Sequence, residues 1–158
     1  MALEPGKLLD EIGSHILREL QENARVSFAE LSRRVGLSIP AVAERVHRME
    51  DAGIIIGYRT EIDLAKVGLP IKAFMRLSIV GDISQRLITT LKEIPEVVEC
   101  YRVTGADSFI LKVHVSSVEH LETLIDKLVS YGTTTTTIVL STLVARRTIE
   151  MKVEKKPH

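Results

Sequence analysis

The stretch from Val26 to Gly53 constrains this chain more than any other. It reads VSFAELSRRVGLSIPAVAERVHRMEDAG, two short helical patterns joined at a glycine. Ser27 and Glu30 have the spacing of a capping box, in which a hydroxyl and a carboxylate each satisfy an orphan backbone N–H. Leu31 and Val35 give the first helix its apolar edge. Gly36-Leu37-Ser38 makes the turn, and Ser38 is a good N-cap for the second helix. Pro40 falls in the first turn of that helix, where its missing N–H does no harm. Val42, Val46 and Met49 recur at helical spacing and are expected to face inward, with Gly53 as the stop.

Such a pair is a helix-turn-helix, whose second helix can lie in a major groove while the first crosses the phosphate backbone. Ile39, Pro40, Ala43, Glu44, His47 and Arg48 then point outward, with Arg45 near the edge. Arg25, Arg33, Arg34, Arg45 and Arg48 stand against only Glu30 and Glu44 in residues 25–48, a local surplus of positive charge. These residues by themselves leave two readings open: a DNA-reading unit, or two ordinary helices with a solvated basic face.

The rest of the chain narrows the frame. Its 158 residues allow one domain or two small ones, and its formal charge is zero, so any pull on nucleic acid must be local. Cys100 is the single cysteine, which leaves no disulfide framework or cysteine-rich metal site within one chain and points to a reducing compartment. With neither a signal peptide nor an apolar run long enough to span a bilayer, the cytoplasm is the expected location. Pro5-Gly6 breaks the first residues, and Asp10 caps a helix to about Glu22 with Ile12, Ile16, Leu17 and Leu20 as its stripe. Residues 54–63 are rich in β-branched residues and read as a strand or small wing. Gly68 and Pro70 mark a boundary.

From residue 71 the periods change. Lys72 to Val80 alternates as a strand; Ile83, Leu87, Ile88, Leu91 and Ile94 make a helical stripe stopped by Pro95. Strands come next over Val97–Thr104 and Phe109–Val115, then a helix with Val118, Leu121, Leu124, Ile125 and Leu128. A long last strand is expected from Thr133 to Arg147. The order βαββαβ is ferredoxin-like, with helices on one face of an antiparallel sheet. The expected architecture is therefore α+β: a winged helix-turn-helix over residues 1–60, a hinge over 61–70 and a ferredoxin-like domain over 71–158. Cys100, Val139 and Leu143 are expected to leave an apolar open sheet face, which argues for a dimer.

At this point the residues match a family. Leu9-Asp10-x-Ile12, Ile16-Leu17-x-x-Leu20-Gln21, Ala24-Arg25-Val26-Ser27, Val35-Gly36-Leu37-Ser38, Arg45-Val46-x-Arg48-Met49-Glu50 and Gly53-Ile54-Ile55-x-Gly57-Tyr58 resemble the leucine-responsive (Lrp/AsnC) transcriptional regulators. Val103-Thr104-Gly105 leading into Phe109-Ile110-Leu111, and Thr135 to Leu140, resemble their effector-sensing domain. The likeness spans roughly residues 8–148, both halves in order. It implies a regulator that binds double-stranded DNA and forms dimers that assemble further, commonly into octamers. It also implies pairing of the strand after the DNA-binding unit between subunits, and a small effector, typically an amino acid, bound where dimers meet. Neither a metal nor a cofactor is expected. The DNA-contacting set becomes Arg25, Ser27, Phe28, Ser38, Ile39, Pro40, Ala43, Glu44, Arg45, His47 and Arg48. The effector set maps to Gly105, Ala106, Asp107, Ser108 and Phe109, with Thr134, Thr135 and Thr136 close by. Family turns often read glycine, acidic, any, aspartate, aromatic. Here the acidic residue stands one place earlier, at Asp107, and Ser108 takes the aspartate position, so the identity of the ligand stays open.

Each position also has a plainer reading. Arg25 serves equally as a surface or capping residue, Arg45 as a structural ion pair, and Glu44 as an intrahelical partner for Arg48. The threonine run makes an ordinary edge strand. Gly105, in a tight turn, is expected to serve a positive φ, with any close approach to a ligand additional. Tyr101, Tyr131 and His114 read as packing, and Cys100 as a small buried hydrophobe. Two competing functions remain. Some siroheme decarboxylases share this two-domain plan, and His114, His120 and Arg102 are the residues on offer for that chemistry, though they form no acid–base–nucleophile constellation. An architectural protein binding DNA broadly is the other, disfavoured by the neutral charge.

Overall fold

The computed structural model describes residues 8–79 and 84–150. The expectations for Pro5-Gly6, Val80 and Ile83 lie outside them. The chain forms two compact units, one running to Glu61 and taking back the segment from Val144, the other Ile62–Leu143. Within the first unit Gln21 and Ile149 bond each other twice, Nε2 to the carbonyl at 3.1 Å and backbone N–H to Oε1 at 2.9 Å. Arg146 meets Glu61 at 2.9 Å.

Among the described residues the first unit includes the helices α1 (Glu11–Glu22), α2 (Phe28–Val35) and α3 (Ile39–Asp51). Their stripes meet in a core that includes Ile16, Leu31, Val42, Val46 and Met49, all essentially without solvent contact. Asp10 caps α1 by accepting from the Gly13 N–H at 2.8 Å, and Ser27 caps α2 by accepting from Glu30 N–H at 3.1 Å. The reciprocal half of the expected capping box is absent, because the Glu30 carboxylate turns to Arg33 and Arg34 instead. Gly36 at φ +71° ends α2. At the end of α3, Ile54 N–H reaches Met49 O and Gly53 N–H reaches Glu50 O, both at 2.9 Å, with Gly53 at φ +68°. That is a Schellman close, and only a residue tolerant of the left-handed region sits there comfortably.

The expected wing is not a strand in this chain. Residues 55–63 carry no strand pairing, and Ile56 is 95% exposed. A single extended segment with no neighbour to receive its backbone bonds cannot make a ladder by itself.

The second unit has the order β1 (Ile71–Ser78), α4 (Ser84–Glu93), β2 (Val97–Arg102), β3 (Phe109–Val115), α5 (Val118–Val129), β4 (Thr133–Ile138). The strands lie in the order β2-β3-β1-β4, every neighbour antiparallel, as the ferredoxin-like plan requires. Ala73, Met75 and Leu77 share rows with Val113, Leu111 and Phe109, and together with Leu87, Leu124 and Leu128 from the helices they form the core.

β4 stops at Ile138, not Arg147. Its partner explains this. Ile138 faces Ala73, Val139 N–H donates to Lys72 O at 2.9 Å, and β1 begins at Ile71, so no backbone remains to pair further. The open face is also not the apolar surface expected. Phe74 shares its row with Lys112 and Thr137, and Arg76 with Ile110 and Thr135; Lys112 bonds Glu99 at 2.8 Å. Leu143 lies beyond the last strand, and Cys100 is exposed, not buried. Cys100 sits on the edge strand in the row of Leu111, past the irregularity between Val97 and Glu99, where the edge is left uncovered. His114 is buried, and desolvation pushes its pKa down despite a bond to the Leu69 backbone. Tyr131 bonds Thr90 at 2.8 Å and lies under Arg86.

Candidate nucleic-acid interface and effector turn

α3 buries Val42, Val46 and Met49 and turns its opposite side to solvent. On that side Ile39, Pro40, Glu44, His47 and Arg48 are exposed, and Ala43 is half-buried. The spacing of the inner residues fixes this, since a helix anchored on three positions of one stripe has no freedom to rotate. Ser38, exposed, is the N-cap, accepting from Ala41 N–H at 3.4 Å. Ser27 and Arg25 stand exposed before α2, and Phe28 opens it with its ring edge-on to His47 at 6.2 Å.

The arginines divide into two groups. Arg45 grips Asp10 with both terminal nitrogens, Nη1 to Oδ1 and Nη2 to Oδ2, each at 2.8 Å. That planar fork joins α3 to the start of α1 and holds the Asp10 carboxyl below its ordinary range. Arg45 is therefore engaged within the fold, as the structural ion-pair reading expects. Arg34 bonds Glu19 on α1 and Glu30 on its own helix, and its hydrogen bond is the main reason both carboxyls titrate low. Arg33 pairs with Glu30, and Arg48 lies 3.6 Å from Glu44, the intrahelical partnership expected. Among the described residues Arg25 makes no ion pair. The local surplus of charge read from residues 25–48 is thus smaller in space, because Asp10 and Glu19 come in from α1. Spacing along α2 and α3 gives no sign of either acid.

One group at this surface escaped the sequence reading. Glu50 Oε2 lies 3.0 Å from His47 Nδ1, and Glu50 Oε1 accepts from the Tyr58 hydroxyl at 2.8 Å. The three-residue spacing of His47 and Glu50 was a usable signal. Tyr58 gave none, because it arrives only after the chain has turned at Gly53.

In the second unit the turn between β2 and β3 is bound down. Gly105 has φ +115°. Ser78 Oγ donates to Ala106 O at 2.9 Å and to Asp107 Oδ1 at 3.3 Å; Ser108 N–H donates to Leu77 O at 2.9 Å, and its Oγ accepts from Ile79 N–H at 3.2 Å. Arg76 lies 3.6 Å from the other Asp107 oxygen. Two expectations change. The Phe109 side chain is 3% exposed and belongs to the core, so only its backbone can meet a ligand. The three threonines do not act as a set: Thr134 and Thr136 share rows with Leu77 and Met75, while Thr135 shares one with Arg76 on the opposite face. Alternation along a strand requires that split. His120 is engaged by Glu96 at 2.7 Å and by Ser116, and His114 is buried, so neither joins Arg102 in a cluster. No helix among the described residues is long and apolar enough to cross a membrane.

Comparison with known proteins agrees with both halves. Residues 9–50 match the AsnC-type helix-turn-helix domain, and residues 72–149 the Lrp/AsnC ligand binding domain. The HTH-type transcriptional regulator LrpC of Bacillus subtilis is 35% identical over 133 residues, covering 84% of this chain and 92% of that protein. Its solved structure superposes with a TM-score of 0.83 over 87% of this chain and 99% of LrpC. The Neisseria meningitidis regulator NMB0573, solved as an L-Met complex, gives a TM-score of 0.82 at 29% identity, covering 92% of this chain and 97% of that one. The feast or famine regulatory protein Rv3291c of M. tuberculosis, complexed with L-methionine, gives 0.82 at 35% identity, covering 90% and 99%. These relatives are named as regulators, not as enzymes. With two domain matches in the right order and full-length relatives of this identity, the chain belongs to the Lrp/AsnC family of transcriptional regulators.

Proposed function

We propose that this chain regulates transcription in the cytoplasm as a homo-oligomer that reads double-stranded DNA with α3 and responds to an amino acid at the Gly105–Ser108 turn. The observation that carries the DNA reading is the division of α3 into a fully buried stripe and an outward face of exposed Ile39, Pro40, Glu44, His47 and Arg48 with half-buried Ala43 among them. Ile39 and Ala43 suit thymine methyls, Arg48 and His47 suit guanine or phosphate, and Ser27, Ser38, Arg25 and Phe28 flank them for backbone contacts. Few of these are strong base readers. Paired half-sites and DNA bending then supply much of the specificity. The oligomer is supported by the exposed apolar residues of two segments without a ladder, Ile56 in one and Leu140 and Leu143 in the other, each more than nine-tenths exposed.

The test is an anisotropy titration of the full chain on its own upstream DNA, with sedimentation in parallel. Expected are a Kd below about 1 μM that weakens by at least about tenfold between 50 and 200 mM salt, a dimer or larger at micromolar concentration, and a loss of about tenfold for Arg48→Ala. Binding indifferent to salt, or a monomer under these conditions, overturns the proposal.

The amino-acid effector is supported by the L-methionine complexes of two relatives and by the bound-down turn, where Gly105, Ala106, Asp107, Ser108 and Thr135 are the residues we assign to it. A ligand there acts only through its differential affinity for two assemblies. In a calorimetric panel of the free amino acids, at least one is expected to bind and to shift the sedimentation profile, and Asp107→Ala is expected to weaken it about tenfold or more. If no amino acid binds, the effector assignment falls and the DNA reading stands.

A further inference from the structure

His47 is held more firmly than an exposed surface histidine needs to be. Its side chain is 65% exposed, yet two neighbours meet the ring and a third holds one of them. Glu50 Oε2 stands 3.0 Å from Nδ1, the Phe28 ring meets it edge-on at an interplanar angle of 80°, and Tyr58 holds the far oxygen of Glu50 at 2.8 Å. Tyr58 does not belong to the helix. It returns to α3 only because the chain reverses at Gly53, and its phenol, pushed up to about 12 by burial and then by Glu50, stays a donor at any ordinary pH. Fixing a solvated side chain costs rotamer freedom, and stability alone gains little from surface ion pairs. A ring that must meet something outside the molecule gains from being fixed beforehand.

We propose that Glu50 and Tyr58 are positioning residues for DNA reading, holding His47 so that Nε2 offers an N–H to an acceptor on the duplex. This rests on the DNA reading of α3 proposed for this chain. A carboxylate facing Nδ1 keeps the proton there, so Nε2 is an acceptor in the neutral ring and a second N–H in the charged one. The abundant partners along a duplex, phosphate oxygens and guanine N7 and O6, are acceptors and call for the charged ring. On α3 the charged residues one turn from His47 are Glu44, Glu50 and Asp51, with Arg48 next in sequence and paired to Glu44; α2 contributes Phe28, and the segment after Gly53 contributes the Tyr58 hydroxyl on Glu50.

The experiment is anisotropy of the full chain on its upstream DNA at fixed salt, from pH 5.5 to 8, with melting curves to verify folding. Wild type is expected to weaken about five- to tenfold as pH rises through the histidine range. His47→Gln is expected to bind more weakly and without that slope. Glu50→Gln is expected to bind more weakly across the pH range, and Tyr58→Phe to lose about threefold in affinity while keeping the slope, a loss that a merely stabilising residue would not give at unchanged melting temperature. The inference is overturned if His47→Gln keeps the wild-type slope, or if Glu50→Gln and Tyr58→Phe match wild type at every pH while wild type binds normally. Failure of wild type to bind at all falls on the DNA reading and takes this inference with it.

Discussion

Gly132→Ala is expected to lower the stability of the sheet unit by about 3 kcal/mol, near the upper end for a single added methyl. A Cβ at Gly132 would stand 2.2 Å from the carbonyl oxygen of Ser78 and 3.1 Å from its carbon. Both are backbone atoms of the strand that pairs with β4, Ser78 opposite Thr133, so no side chain can swing aside and the strand itself must move. The damage reaches further than the methyl. Ser78 is also the residue whose hydroxyl holds Ala106 and Asp107, so a displaced Ser78 loosens the turn assigned to the effector. The comparison variant is Gly36→Ala, where φ is +71° and a Cβ would meet nothing within 4 Å. Only backbone strain acts there, about 1 kcal/mol. Thermal melts of both variants decide the matter: a Gly132→Ala protein that melts with wild type, or closer to it than Gly36→Ala does, means that β1 and the residue before β4 do not approach this closely.

The elements that the sequence announced were those specified by neighbours. Asp10, Ser27 and Ser38 cap helices whose first N–H groups lie a few residues away. The stripes of α1 and α3 arise from a period contained in one helix, and the alternation of β1 and β3 from one contained in a strand. The features that went unread depended on a partner distant in the chain. β4 ends where β1 runs out of backbone, and nothing within Thr133–Arg147 marks that point. The same holds for the wing, whose β-branched residues fit a strand that has no neighbour in this chain. Cys100 is apolar enough to bury but lies on an edge. At the candidate interface the identity of the outward residues was legible, because Val42, Val46 and Met49 fix the rotation of α3. Their charge balance was not, because Glu19 and Asp10 meet Arg34 and Arg45 only after folding.

Asp10→Ala is expected to cost the helical unit about 2 kcal/mol and lower its melting temperature by about 10 °C. About half is the lost N-cap, the bond from Gly13 N–H to the Asp10 carboxylate. The other half is the two-pronged bond to Arg45, counted at only about 1 kcal/mol because the Asp10 side chain is 44% exposed and the pair is partly screened. The sign of the pH dependence comes from the same pair. Arg45 holds the Asp10 carboxyl below its ordinary 3.8, so the pair's contribution is complete above that value and disappears as the pH falls from it toward the depressed folded one. Acid melts of Asp10→Ala should therefore lack a loss that wild type shows only below about pH 4. A cycle with Arg45→Met gives the coupling, expected at about 1 kcal/mol, and separates two roles for that arginine. If Arg45 serves the fold, Arg45→Met lowers the melting temperature and leaves the salt dependence of DNA binding unchanged. An arginine that neutralised a phosphate would instead take about one unit from the salt slope, with little effect on melting, and Asp10→Ala would free it to bind DNA more tightly. The second pattern would return Arg45 to the reading surface and undo the assignment of the fork as the joint between α1 and α3.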